Sequence, residues 1–183
     1  DQDVGVVGQR GLDEAELVYR ELIELHRRFY GPSSLDLAIL IGNLGVCISM
    51  QQDESRTEEA AFLLKDAIVM AGRHVEPDHL AVRSFRLGMV QLMNRQGRHL
   101  EALGQLEQIE SLLDLTLDNS LMQGTIHAGR AQAYLALGEL ARAREELTQA
   151  EALHARQGAA ASTLLAKLAP LHESLQAAEI AQR

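Results

Sequence analysis

The chain has 183 residues and a formal net charge of −9; 46% of its residues are apolar, only 3% are aromatic, and Cys47 is its single cysteine. Because this negative charge repels phosphate backbones, we expect no nucleic-acid partner. No apolar run reaches about 18 residues, so we expect no membrane span. A lone cysteine forms no internal disulfide, which favours a cytoplasmic location. The chain begins at Asp1 rather than Met, and we interpret it as a piece of a longer protein.

Amphipathic patterns predict helices from near the start of the chain. Apolar residues at three- and four-residue steps predict a first helix over residues 12–30. Pro32 stops this helix, because proline cannot continue the hydrogen-bond ladder. Ser33 or Ser34 is then expected to cap a second helix over residues 35–52. That helix is apolar almost all round, so we expect it to be packed on several sides.

The remaining patterns extend the helical prediction to the end of the chain. The next helices are predicted over residues 57–74, 80–96, 100–117, 121–137 and 140–157. A weak spacer over residues 158–161 follows, and Ser162 is the expected N-cap of a last segment over residues 162–181. Pro170 lies inside that segment and should kink it or divide it into two short helices.

A short motif recurs where one predicted helix ends and the next begins. Three of its four copies open with a glycine: Gly11, Gly97 and Gly138. The alanines that mark the copies, separated by 45, 42 and 41 residues, are Ala15, Ala60, Ala102 and Ala143. A period near forty with two helices in each unit is typical of an α-solenoid, in which neighbouring helix pairs must stack to bury their apolar faces.

The third unit shows the pattern of small, aromatic and glycine residues most clearly. The residues that carry it are Ala131, Tyr134, Gly138, Ala143, Leu147 and Ala150. In these positions the chain resembles tetratricopeptide repeats, in the roughly 42-residue form found in kinesin light chains and many bacterial multidomain proteins. The resemblance implies an all-α right-handed superhelix of about three and a half helix-turn-helix repeats plus a C-terminal capping helix.

The same resemblance divides the chain into repeats. The expected divisions are a half repeat over residues 1–33, repeats over 34–76, 77–118 and 119–158, and the capping helix over 162–181. Within the half repeat, residues 2–7 would end one helix and Gly11 would form the turn to the next. Arg86 and Arg130 depart from the family pattern, because they stand where it usually has apolar residues.

In this family the first helix of each pair lines a concave groove, so the resemblance implies a peptide site there. The groove-facing candidates are Ser49, Ser84, Leu87, Gln91, Asn94, Arg95, Thr125 and Gln132. The amides of Gln91 and Asn94 suit a peptide backbone, and the guanidinium of Arg95 suits a carboxylate. The alternative is that these side chains are only the solvated face of their helices.

The sequence contains none of the common catalytic, cofactor-binding or metal-binding motifs. It has no phosphate-binding glycine loop, no nucleophile elbow and no dinucleotide fingerprint. None of the seven histidines has another four residues away, the spacing of a helical zinc site. Cys47 lies in an apolar run and is expected to be a small buried hydrophobe. We therefore expect no catalytic residue, no metal and no cofactor.

These observations favour a non-enzymatic scaffold that binds a peptide segment of a partner protein in its concave groove. An alternative is a regulatory or sensory C-terminal module of a larger bacterial signalling enzyme, such as a serine/threonine kinase or a signalling ATPase. A third interpretation is a homodimer through the N-terminal half repeat, where the helix over residues 12–30 would expose an apolar side.

Overall fold

The computed structural model describes residues 2–51, 53–113, 119–158 and 161–182, and the regular secondary structure of these segments is entirely helical. The α-helices are α1 (Gln2–Tyr30), α2 (Leu35–Met50), α3 (Thr57–Ala71), α4 (Leu80–Arg95), α5 (His99–Ser111), α6 (Ser120–Ala136), α7 (Leu140–His154), α8 (Ala161–Ala166) and α9 (Ala169–Ala181). A 3-10 helix, Glu54–Arg56, precedes α3. No helix in the described segments is both long and apolar enough to cross a bilayer. The prediction of an all-α chain is confirmed.

Most helix ends lie within a few residues of their predicted positions. Ser34 caps α2, because its hydroxyl oxygen accepts the backbone N–H of Leu37 at 3.0 Å. Pro170 divides the last segment: α8 ends before it and α9 begins with it in the first turn, where its missing N–H costs nothing. Ser162 was expected to be an N-cap but lies inside α8, which begins one residue earlier. The predicted ends at residues 52 and 117, and residues 159–160 of the spacer, lie outside the described residues.

The first helix corrects one prediction. Instead of a turn at Gly11 between two helices, α1 is continuous over 29 residues. A Cβ on Gly11 would meet nothing within 4 Å, so no neighbouring element requires a glycine there. A glycine inside a helix costs about 1 kcal/mol relative to alanine, so Gly11, like Gly5 and Gly8, does not by itself end α1.

The two later glycine turns agree with prediction and have the same geometry. Gly97 and Gly138 adopt positive φ angles of 74° and 77°. In each turn the N–H after the glycine donates to a carbonyl five residues back: Arg98 to Met93, and Glu139 to Tyr134, both at 2.9 Å. This is the Schellman ending of a helix, which favours glycine because a Cβ is strained at positive φ.

The chain divides into two compact units, Asp1–Leu92 and Met93–Arg183, with the division inside α4. In the first unit α2 packs against α1 and α3, and the core also includes Phe85 and Leu92 of α4. In the second unit α6 packs against α5 and α7, and α9 packs against both α6 and α7. A buried alanine and leucine cluster fills that contact: Ala131, Ala143, Leu147, Ala150, Leu168 and Leu175.

Candidate functional site

The eight predicted groove residues fall into two groups, one in each unit. Ser49, Ser84, Leu87 and Gln91 belong to the first unit. The other four belong to the second unit: Asn94, Arg95, Thr125 and Gln132. The structure therefore presents two sets of four residues, and each set has its own surroundings.

In the first unit, α4 presents a line of residues at steps of four, three and four. We call Leu80, Ser84, Leu87 and Gln91 the α4 row. Leu80 is 61% exposed and Leu87 is buried, whereas Ser84 and Gln91 are exposed. The row thus alternates apolar and hydrogen-bonding side chains along one side of a helix.

Helix α4 packs closely against α2 and α3 at residues beside and behind this row. A Cβ on Gly42 of α2 would lie 2.2 Å from the Phe85 ring, so α2 and α4 approach closely there. A Cβ on Gly88 would lie 3.1 Å from Leu64 and 3.4 Å from Val46. These contacts join α4 to α2 and α3 within the first unit.

Ser49, the fourth predicted residue of the first unit, is only 6% exposed. Its hydroxyl donates to the Val46 carbonyl at 2.8 Å, within its own helix. A buried hydroxyl that is already bonded has little to offer a ligand. The prediction that Ser49 faces the groove is therefore wrong.

Asn94 corrects a second prediction. Its side chain is 4% exposed, its Nδ2 donates to the Gly129 carbonyl at 3.1 Å, and its Oδ1 lies 3.3 Å from Nδ1 of His99. The amide of Asn94 therefore links α4 to α6 and to the start of α5. Because both of its polar atoms already have partners, it is not placed to bind a peptide. The burial of Asn94 has a signal in the sequence, because Asn94 follows Val90 by four residues and so lies on the same side of α4 as this buried side chain.

The other residues of the second unit lie nearer the surface. Arg95 is exposed, and Thr125 and Gln132 are half-buried on α6. The Thr125 hydroxyl donates to the Leu121 carbonyl at 2.9 Å, one turn earlier in the helix. Thr125 and Gln132 are seven residues apart and so share a side of α6.

A network of charges that the sequence did not reveal lies in the first unit. Glu16 of α1 accepts hydrogen bonds from both terminal nitrogens of Arg56 at 2.7 and 2.8 Å, and one from Gln51 at 2.9 Å. Arg56 also binds Glu59 at 2.7 Å. The bonds from Arg56, with smaller contributions from Gln51 and Arg20, lower the pKa of Glu16 to about 2. The network joins the turn before α3, which has no glycine, to α1. It also keeps the carboxylates of Glu16 and Glu59 charged.

A similar pair explains one departure from the family pattern. Arg130 has a side chain only 15% exposed, and it binds Glu110 of α5 at 2.5 Å. The guanidinium of Arg130 lowers the pKa of this carboxyl group. A half-buried arginine is thus accommodated here because a carboxylate on the neighbouring helix, Glu110, neutralises it.

Among the described residues, each unit has a surface groove between helices. The first, of about 320 Å³, is lined by α1, α2 and α3: Arg20, Ile23, Glu24, Arg27, Ile41, Leu44, Phe62, Leu63 and Asp66. The second, of about 440 Å³, lies between α7 and α9: Arg144, Leu147, Thr148, His172, Leu175, Gln176 and Glu179. Arg144 and Glu179 form an ion pair across the second groove, so its charges already neutralise each other.

Cys47 and His154 are both buried side chains. The Cys47 thiol is 5% exposed and 3.2 Å from the Leu12 carbonyl, and burial raises its pKa. His154 is 4% exposed, and its Nδ1 has no hydrogen-bond partner in the described part of the chain. Burial, and then Lys167, lower the pKa of His154. Across the described segments, no three metal-ligating side chains come together in a possible metal site.

A scan of protein-family models matched none of them to this chain. A search of curated proteins likewise found no significant match. The resemblance to tetratricopeptide repeats and the regulatory-module alternative therefore stay predictions.

Proposed function

We propose that this chain is a tetratricopeptide-like helical solenoid that binds an extended segment of a partner protein along the α4 row. The observation that carries the proposal is the row itself, in which exposed Ser84 and Gln91 stand beside exposed Leu80. A hydroxyl and an amide both donate and accept hydrogen bonds, as a peptide backbone requires. Leucine adds apolar surface for a side chain of the partner.

The solenoid part of the proposal is supported by repetition in the backbone. The turns at Gly97 and Gly138 use the same pattern of bonds 41 residues apart in the sequence. In the second unit α9 packs against the preceding pair α6 and α7. In the first unit Phe85 of α4 likewise joins the core formed by α2 and α3. Packing of each new helix against the previous pair is what a stacked repeat requires.

The length of the row suits a short extended segment. Ser84 and Gln91 are seven residues apart, a helical rise of about 10 Å, which matches about three residues of extended chain.

The test is a selection of phage-displayed peptides on the whole chain, followed by calorimetry on the best binder. We expect Gln91→Glu to weaken binding at least fivefold, because the carboxylate lacks the amide N–H donors that a peptide carbonyl accepts. Gln108→Glu is the matched control, since it makes the same change at an exposed position of α5. Equal affinities for Gln91→Glu and wild type would refute the α4 row as the binding site.

A further inference from the structure

Helix α1 carries a second apolar face that the described chain leaves exposed. Four residues at steps of four, three and four form it, and we call Val18, Leu22, Leu25 and Phe29 the α1 stripe. They are 51%, 40%, 50% and 69% exposed. Single exposed apolar residues are ordinary, but four in one line over three helical turns form a patch that marks an interaction surface.

The stripe is separate from the face by which α1 joins its own unit. Ile23 is 5% exposed and belongs to the core with α2 and α3, and Tyr19 packs against the same core. His26 lies near Ser34, with Nε2 and Oγ 3.5 Å apart. The inner face of α1 is thus occupied, while the stripe has the spacing of a two-helix seam, in which apolar residues recur every 3.5 residues on average.

We propose that the α1 stripe binds the same stripe of a second copy of this chain, with the two helices antiparallel. In that arrangement Leu22 packs against Leu25 of the second copy, and Val18 packs against Phe29 of the second copy. A two-fold axis between Leu22 and Leu25 generates each contact twice. This homodimer does not depend on the peptide-binding proposal, because the α4 row lies on another helix.

Charges beside the stripe favour the antiparallel arrangement. Glu21 and Arg28 are both exposed, are seven residues apart, and lie on the side of the stripe away from Tyr19 and His26. When the helices are antiparallel, Glu21 of one copy lies beside Arg28 of the other, and symmetry gives two such pairs. A parallel pair would instead bring Glu21 towards His26 of the second copy, which already lies beside Ser34.

The length of the α1 stripe limits the expected affinity of the dimer. From Val18 to Phe29 the helix rises about 16 Å, so the contact buries less than the roughly 800 Å² per partner of a standard interface. We expect a dissociation constant of about 10 to 100 µM, within the range of weak association. The ion pairs contribute little affinity at the surface, but they select the orientation.

Sedimentation equilibrium on the whole chain, from about 1 µM to about 1 mM, tests the association. We expect a monomer–dimer equilibrium that Leu22→Asp weakens at least tenfold. Leu17→Asp is the matched control: Leu17 is 60% exposed on the same helix but lies off the stripe. Circular dichroism checks that both variants remain helical, as expected for exposed positions. A chain that stays monomeric at the highest concentration, or equal dimerisation of Leu17→Asp and Leu22→Asp, overturns the proposal.

Exchange of charges tests the orientation. Glu21→Lys and Arg28→Glu should each weaken the dimer about threefold or more, because each creates two like-charge contacts. The double variant should recover wild-type affinity, since both pairs are then restored with reversed sign. If the double variant is as weak as the sum of the single changes, the antiparallel pairing is wrong.

Discussion

The close approach of α2 and α4 makes Gly42→Ala a sensitive probe of the first unit. A Cβ at residue 42 would lie 2.2, 2.3 and 2.6 Å from three carbons of the Phe85 ring. Contacts between carbons favour about 3.5 Å or more, so the ring or the helix must move by more than about 1 Å. Phe85 is only 2% exposed, which leaves the ring no open space to enter.

The expected cost follows from two opposing effects. Overpacking of this kind costs about 1–3 kcal/mol, whereas replacing glycine by alanine inside a helix gains about 1 kcal/mol. We expect the free energy of unfolding to fall by up to about 2 kcal/mol, and the midpoint of thermal unfolding to fall by up to about 8 °C. Urea denaturation and calorimetry measure both quantities.

Gly104→Ala is the matched control, because Gly104 lies inside α5 and a Cβ there would meet nothing within 4 Å. It should raise the free energy of unfolding by up to about 1 kcal/mol. Adding Phe85→Leu to Gly42→Ala should cost less than the sum of the two single changes, since the ring edge is gone. If Gly42→Ala stabilises the chain as Gly104→Ala does, the close contact of α2 with α4 is wrong.

Three other predictions concern single side chains. The pKa of Glu16 is lowered from 4.5 to about 2, so its contribution to stability is fully present above pH 4.5 and is lost as the pH falls through 2. Glu16→Gln should therefore cost about 1–2 kcal/mol at pH 7 and much less near pH 2 in urea titrations. The pKa of His154 is lowered below 6.5, so wild-type stability should fall as the pH drops below 6.5, and His154→Leu should reduce that slope; equal slopes would contradict the buried neutral ring. Asn94→Ala should cost about 1–2 kcal/mol through its lost bonds to Gly129 and His99, whereas Gln91→Ala should change stability by less than about 0.5 kcal/mol; similar losses would mean that Asn94 is not a structural bridge.

Helix ends can be predicted from the sequence where they depend on residues that are close together in the chain. Gly97 and Gly138 mark their turns because a positive φ favours glycine whatever lies around it. Ser34 and Pro170 likewise act on the backbone within a few residues of themselves. Gly11 shows the limit of this reasoning, because the same residue type lies inside the continuous helix α1. The residues after Gly97 and Gly138 do not explain the difference, since neither turn is followed by a side-chain cap.

Positions that depend on distant partners could not be predicted in the same way. Asn94 is buried because it finds the carbonyl of Gly129, 35 residues away. Glu16 and Arg56 meet across 40 residues. A pattern of residue types shows that a polar side chain interrupts an apolar face, but it does not show which helix supplies the partner. For the candidate site, the sequence placed Ser84 and Gln91 at the surface correctly, whereas Ser49, Leu87 and Asn94, which were also predicted to face the groove, are buried.

Mapping a bound peptide by NMR tests whether the α4 row is the binding site. The selected peptide would be added to the isotope-labelled chain of 20.1 kDa, and backbone amide and methyl shifts followed to saturation. We predict that the largest changes occur at Leu80, Ser84, Leu87 and Gln91, and that Gln91→Glu reduces them at the same peptide concentration. Changes confined to the α1 stripe, or spread evenly over the chain, would contradict it.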